Sequence, residues 1–197
     1  AIPFLRRERV LLPVFSPRLP LPITTPCFLG QEREGFPHIF NGYPHLSGEC
    51  ACRMNPSEAK REEHGVILAD FLHALHAIEE DRALASRARE ASSVDEGSLE
   101  RRITWTRGEI ARLRDIGLMS GDGEPEEEHI DTLCADMEPV REDEKRWIHG
   151  DLYTRHMLLD QNHDLCGVID WGNACWGDPA YDLGLVFAYL PKTSYDA

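Results

Sequence analysis

Two aspartates, Asp151 and Asp170, stand in the last quarter of the sequence, each after a short apolar stretch, with His156 between them. Two carboxylates so placed suit phosphoryl transfer. One can take the proton from an attacking hydroxyl while the other holds a metal ion on the phosphates. Asp151 follows His149-Gly150, a context in which an aspartate also serves as a simple turn cap. Asp170 lies between Ile169 and Trp171, and a carboxylate beside bulky apolar side chains is costly unless a partner or cation compensates it. Mg²⁺, a hard cation that prefers oxygen ligands, would do so. Taken alone, Asp170 reads better as a strand-end aspartate in an Asx turn.

These residues need a scaffold, and the surrounding pattern supplies one. Met157–Leu159 and Cys166–Ile169 are short apolar runs separated by the polar stretch Asp160–Asp164, which predicts a β-hairpin. Pro179–Leu190 reads as a helix ended by Pro191. Upstream, residues 55–79 read as a helix, with Asn55 as N-cap, Pro56 at the first helical position and Ile67, Phe71, Leu72, Leu75 and Ile78 at helical spacing. Ser98–Ile116 predicts a second helix stopped by Gly117, and Pro125–Val140 a third, whose acidic start Glu124–Glu128 favours the helix dipole. The charged segment between Glu79 and Gly97 stays ambiguous. Residues 1–50 are proline-rich, with a short helix at Ile2–Leu12 and extended pieces around Cys27–Gly30 and His38–Asn41. Helices with one small hairpin bearing the acidic residues make an α+β layout.

Composition narrows the partners. With 21 Lys plus Arg against 35 Asp plus Glu, the net charge of −14 argues against a nucleic-acid partner and is compatible with a cationic small molecule. No apolar run reaches membrane-span length and no signal peptide is recognisable, so the expected location is cytoplasmic. The six cysteines carry no CxxC and read as free thiols; a zinc site of His163, Cys166 and Cys175 fits no standard ligand spacing.

Joined together, the residues spell H-G-D-x4-H-x3-D, then I-D-W, then G-D-P-x-x-D-L. This stretch resembles the aminoglycoside phosphotransferase superfamily, small-molecule kinases with a protein-kinase-like fold. The likeness is strong over about residues 147–190. It extends to Leu5-Arg6-Arg7-Glu8, to Phe36-Pro37 and Phe40 through Gly48, and to Phe71-Leu72-His73-Ala74-Leu75-His76. The resemblance implies a partial N-lobe and hinge over 1–48 and a helical C-lobe with the catalytic loop over 49–197. It also implies Asp151 as catalytic base, Asp170 and His156 as Mg²⁺ ligands, and His149 and Asp182 as structural supports. ATP or GTP would bind near Asn41, Gly42, Tyr43 and Ile169. The acceptor would be a hydroxyl of an antibiotic-like molecule, an aminoglycoside or macrolide. His156 stands where most of the superfamily has Asn, and in this respect the loop is similar to that of the macrolide phosphotransferases.

Such catalysis also needs a Gly-rich phosphate loop and a lysine. No Gly-rich hairpin precedes residue 10, and the first lysine is Lys60 within a helix; Glu8 would be the acidic partner of the missing one. The expectation is therefore a chain truncated at both ends, with a non-catalytic, pseudokinase-like binding module as the alternative. A metal-dependent hydrolase lacks its usual His-x-Asp spacing.

Overall fold

The structure, a computed structural model, describes residues 2–79, 84, 86–88, 99–118, 132 and 138–192. Helix α1 spans Ile2–Phe15 and buries Arg7, Glu8, Leu11, Leu12 and Phe15 along one stripe. It runs past the expected stop at Leu12, although Pro13 removes a backbone donor from its last turn. Packing accounts for the extra turn: Phe15 is fully buried, with its ring 5.5 Å from Trp147 and 6.0 Å from Trp171.

Helix α2 covers Glu58–His76 and starts later than the sequence suggests. Asn55 and Pro56 lie before it; the cap is Ser57, whose hydroxyl accepts the Lys60 amide at 3.3 Å. Its inward face is His64, Leu68, Phe71, Leu72 and Leu75, the i, i+4, i+7, i+8, i+11 rhythm of a helix lying on a core. Helix α3, Leu99–Asp115, lies close to its predicted bounds. Gly117 ends it at φ +70°, with Leu118 N–H on Leu113 O (3.0 Å) and Gly117 N–H on Arg114 O (2.9 Å), a Schellman closure that favours glycine. Ile116, the last residue of the predicted helix, is exposed. Of the third predicted helix, Glu138–Val140 are not helical; the remainder, with the acidic run 124–128, lies outside the described residues apart from Thr132.

Among the described residues the strands form three small antiparallel sheets. Strands β1 (Phe28–Gly30) and β2 (Phe40–Gly42) form an isolated ribbon. Strand β3 (Glu49–Cys50) pairs with β5 (Met157–Leu159), which pairs with β6 (Leu165–Val168); β5–β6 is the predicted hairpin. Strand β4 (Arg146–Ile148) pairs with β7 (Cys175–Gly177), placing Trp147 opposite Trp176. Helix α4, Ala180–Phe187, follows. One core cluster gathers Leu11, Phe15 and Ile23 with Leu68, Phe71, Trp147, Met157, Val168 and Trp171, so residues before and after position 48 share it. Among the described residues no helix is long and apolar enough to cross a membrane.

His64 staples this frame from behind. Its Nε2 lies 2.7 Å from the His163 carbonyl in the hairpin turn, and its Nδ1 lies 2.6 Å from the Tyr189 hydroxyl beyond α4. A carbonyl only accepts, so Nε2 carries the proton and Nδ1 accepts from Tyr189. Burial pushes the His64 pKa down, outweighing the His163 carbonyl, which pulls it up. The unfolded chain therefore takes up a proton near pH 6.5 that the folded chain refuses. Stability is full above that pH and falls as pH drops toward the folded pKa, by at most about 1.4 kcal/mol per pH unit for one proton. Urea unfolding at pH 7.5 and 5.5 should show this loss, and His64→Gln should flatten it while lowering stability at pH 7.5. An unchanged pH slope in the variant would exclude His64 as its source.

Candidate active site

Strand β4 delivers the chain to a turn at His149-Gly150 that presents Asp151. Gly150 sits at φ +78°, and a Cβ there would lie 2.7 Å from the Asn173 carbonyl oxygen, so the position excludes other residues on two counts. The turn is held from below by Asp182, on the first turn of α4 and fully buried. Its Oδ2 accepts the His149 amide and its Oδ1 the Gly150 amide, both at 2.9 Å. His76, at the end of α2, brings Nε2 within 3.4 Å of Asp182 Oδ2. The motif reading did not assign His76 a place in the site; its only signal was its position closing the stretch Phe71–His76.

His149 is itself fully buried and links the two aspartate segments. Nε2 lies 3.0 Å from the Ile169 carbonyl, so it donates there; Nδ1 then accepts the Asp151 amide at 3.2 Å. Burial drives its pKa down and keeps the ring neutral, as this tautomer requires. The ring also lies against Trp171, 4.6 Å between centroids.

Asp170 adopts a left-handed backbone, φ 64° and ψ 65°, which costs an ordinary residue about 1–2 kcal/mol. The sequence expectation of a strand-end aspartate did not include this. The conformation turns its carboxylate toward His156, whose Nε2 lies 3.2 Å from Asp170 Oδ2. On its other side, His156 Nδ1 is 2.7 Å from the Asp151 carbonyl and 3.7 Å from Asp151 Oδ2. His156 is thus buried between the two aspartates.

The carbonyl of Asp151 fixes the tautomer, because it obliges Nδ1 to donate. In the neutral ring Nε2 then aims a lone pair at the Asp170 carboxylate. Two acceptors at that distance require a proton or a metal cation between or beside them. Burial disfavours the imidazolium, but Asp170 and the Asp151 carbonyl together outweigh it and raise the His156 pKa. The hydrogen bond from His156 in turn holds the Asp170 carboxyl below the usual carboxylate range, against burial, with the Gly172 amide adding to it. One imidazole nitrogen and one half-exposed carboxylate fit a divalent ion that takes its remaining ligands from water and phosphate. Among the described residues no three His, Cys, Asp or Glu side chains are grouped to hold a metal by themselves. Of the alternative zinc set, Cys166 Sγ is turned to the carbonyls of Ser47 and Leu158, 3.3 and 3.4 Å away.

On the opposite side, α1 meets the hinge residues. Asn41 turns its side chain into the protein: Oδ1 accepts from Arg9 Nε at 2.6 Å, and Nδ2 donates to Leu5 O at 2.9 Å and Glu8 Oε2 at 3.2 Å. Tyr43 donates its hydroxyl to Glu8. Gly42 O accepts the Cys27 amide at 2.9 Å. Burial pushes the Glu8 carboxyl up, Tyr43 and Asn41 oppose this, and Asp170 adds to the rise. Ile169 uses both backbone groups internally, its N–H on the His156 carbonyl (2.9 Å) and its carbonyl on His149.

Asp182→Asn tests the support of this turn. The amide nitrogen must face one of the two N–H groups, leaving a buried donor without an acceptor, at a cost of about 1–3 kcal/mol. Thermal unfolding should show the drop; a melting temperature equal to the parent's would show that the turn does not depend on this carboxylate.

The sequence matches the model of the phosphotransferase enzyme family over residues 2–196. Among solved structures, the fold is similar to that of the GDP and kanamycin complex of APH(2")-IIia, with TM-score 0.68 and 23% identity, over 99% of this chain and 65% of that one. It is also similar to macrolide 2'-phosphotransferase MphH from Brachybacterium faecium, with TM-score 0.61 and 20% identity, over 99% of this chain and 62% of that one. A curated relative, the uncharacterized protein YcbJ of Bacillus subtilis (strain 168), is 50% identical over 38 residues, which is 19% of this chain and 12% of that protein. The chain thus spans less than two thirds of the length of each of these relatives.

Proposed function

Because the chain belongs to the phosphotransferase enzyme family, we propose that it forms the catalytic part of a small-molecule kinase. The reaction is transfer of the γ-phosphoryl group of ATP or GTP to a hydroxyl of an antibiotic-like acceptor, an aminoglycoside or a macrolide. The observation that carries this reading is His156 seated between Asp151 and Asp170, its Nδ1 2.7 Å from the Asp151 carbonyl and its Nε2 3.2 Å from the Asp170 carboxylate. Asp151, a third exposed at the mouth of the buried loop, takes the proton of the acceptor hydroxyl as the new O–P bond forms and the bond from the γ-phosphorus to the bridging oxygen breaks, releasing ADP or GDP. Asp170 and His156 would hold Mg²⁺. When bound there, Mg²⁺ neutralises charge on the phosphates. Asp182 and His149 keep Asp151 and Ile169 in fixed relation, which matters because misplacement by an ångström costs such a site much of its rate.

The nucleotide base lies along the hinge at Asn41, Gly42 and Tyr43 and over Ile169. Strand β2 pairs with β1 on one side only, and its other edge is the one a base would reach. GDP in the APH(2")-IIia complex supports a guanine nucleotide as one donor. The excess of acidic residues suits a cationic acceptor, and the expected setting is cytoplasmic, away from nucleic acid and membrane.

One observation favours the second reading, a pseudokinase-like binding module. Among the described residues Glu8 is met by Tyr43 and Asn41 and by no lysine. The three lysines of the chain are Lys60, Lys145 and Lys192, and Lys60 is taken by Asp164 and Glu63. The two readings part on Asp151→Asn in the whole protein. For a kinase, phosphoryl transfer should fall by roughly 10²–10⁴-fold while GDP binding by titration calorimetry stays within about twofold of the parent. Retained turnover would remove Asp151 as the base. A parent protein that binds GDP with no turnover on any aminoglycoside or macrolide would establish the binding module instead.

A further inference from the structure

Arg7 is almost completely buried, 2% exposed, yet none of the roles above uses it. Its Nη1 lies 3.1 Å from the Ala174 carbonyl and 3.4 Å from the Gly172 carbonyl. Those two oxygens belong to the short 3₁₀ turn Trp171–Asn173 and the residue after it, the segment that immediately follows Asp170. Other contacts also hold the turn. Trp171 anchors it in the core, fully buried, with its indole N–H on the Val168 carbonyl at 3.3 Å. Gly172 lies between the metal aspartate and α1: a Cβ there would be in ordinary contact with both, 3.6 Å from Asp170 Oδ1 and 3.6 Å from Phe4 Cβ. Asn173 presents the carbonyl that abuts Gly150 in the turn of Asp151.

Asp170 pays for its orientation with a left-handed backbone, and such a conformation persists only when its surroundings over-determine it. Trp171 fixes the turn at its start. The later half has two carbonyls facing the protein interior, and a buried guanidinium is what receives them. A charged donor strengthens such bonds relative to a neutral one. Removing it would leave two inward carbonyls seeking other donors, and the turn could then relax toward an ordinary backbone that swings the Asp170 carboxylate off His156.

We propose that Arg7 is a positioning residue of the metal site: by gripping the Gly172 and Ala174 carbonyls it locks the turn that holds Asp170 in its left-handed, His156-facing conformation. The inference rests on Asp170 being a metal ligand. It makes α1 part of the metal site, and it predicts that ion affinity depends on a residue that never touches the ion.

The test is the dissociation constant of Mn²⁺ in the presence of saturating GDP, read from the electron paramagnetic resonance signal of free Mn²⁺, on the whole protein. Arg7→Met should weaken Mn²⁺ by about tenfold or more, the range seen when a supporting partner of a metal ligand is lost. Arg7→Lys, which keeps a charge with shorter reach, should fall between the two. Arg61→Met is the matched control. It removes a different arginine that holds a backbone carbonyl, that of Tyr189 at 3.2 Å, far from the metal aspartate. It should lower the melting temperature and leave Mn²⁺ affinity unchanged. Arg7→Met and Arg7→Lys with the parent's affinity would overturn the proposal, and if Arg7→Met does not fold, Arg7→Lys decides. Asp170→Asn separates the premise: if that variant binds Mn²⁺ as the parent does, or if the parent binds none, the reading of Asp170 as metal ligand fails and the role of Arg7 with it.

Discussion

Asp182 has no exposed surface, and each of its two oxygens receives one backbone N–H from the turn that carries Asp151. A buried carboxylate is tolerated only when its acceptor capacity is filled. Here it is filled by His149, Gly150 and the ring of His76. The turn and helix α4 are therefore mutually dependent. The turn loses its acceptors without the helix, and the helix would carry an uncompensated buried charge without the turn. From this joint the rest of the site follows by short steps. His149 passes from the fixed turn to the Ile169 carbonyl, Ile169 receives its own partner from His156, and His156 returns to Asp151. The loop closes on itself through two buried imidazole rings and main-chain groups, so the spacing of the two aspartates is set by groups locked in the interior and not by flexible surface side chains.

The other half of the arrangement comes from helix α1. Three successive side chains reach three different places: Arg7 the turn after Asp170, Glu8 the hinge pair Asn41 and Tyr43, and Arg9 the ribbon β1–β2 through Asn41, Gly30 and Phe40. The side of the site assigned to the metal and the side assigned to the nucleotide are joined by one rigid rod, which is a physical basis for their acting together. The apolar stripe of the same helix, Leu11, Leu12 and Phe15, sinks into the common core and holds the rod in place.

Much of this was legible in the residue pattern, for identifiable reasons. The hairpin β5–β6 is written in local terms, apolar runs around a polar turn, and Asp160 completes that turn by accepting the amides of Asn162 and Asp164 at 2.8 and 2.9 Å. The stop at Gly117 is likewise local. Features decided by distant contacts were not legible. The start of α2 moved to Ser57 because a hydroxyl at the right place outweighs a favourable Asn-Pro pair. Helix α1 crossed Pro13 because two tryptophans from the far end of the chain receive Phe15. His76 and Arg7 carry no motif of their own, since their partners lie more than a hundred residues away. The inward turn of Asn41 and the left-handed backbone of Asp170 are visible only once those neighbours are assembled.

The fan of Arg7, Glu8 and Arg9 has a consequence for how this sequence can change over time. Successive residues on an α-helix are rotated by about 100°, so three neighbours meet three targets only in one register. Substitutions at these positions can be tried one at a time, each disturbing the contacts of one side chain. Inserting or deleting a single residue between them and the core-anchoring Leu11–Phe15 would turn all three away together. Lineages descended from this sequence should therefore vary the helix at its exposed positions while keeping its residue count between position 7 and position 15, and accept length changes in the loop that follows it.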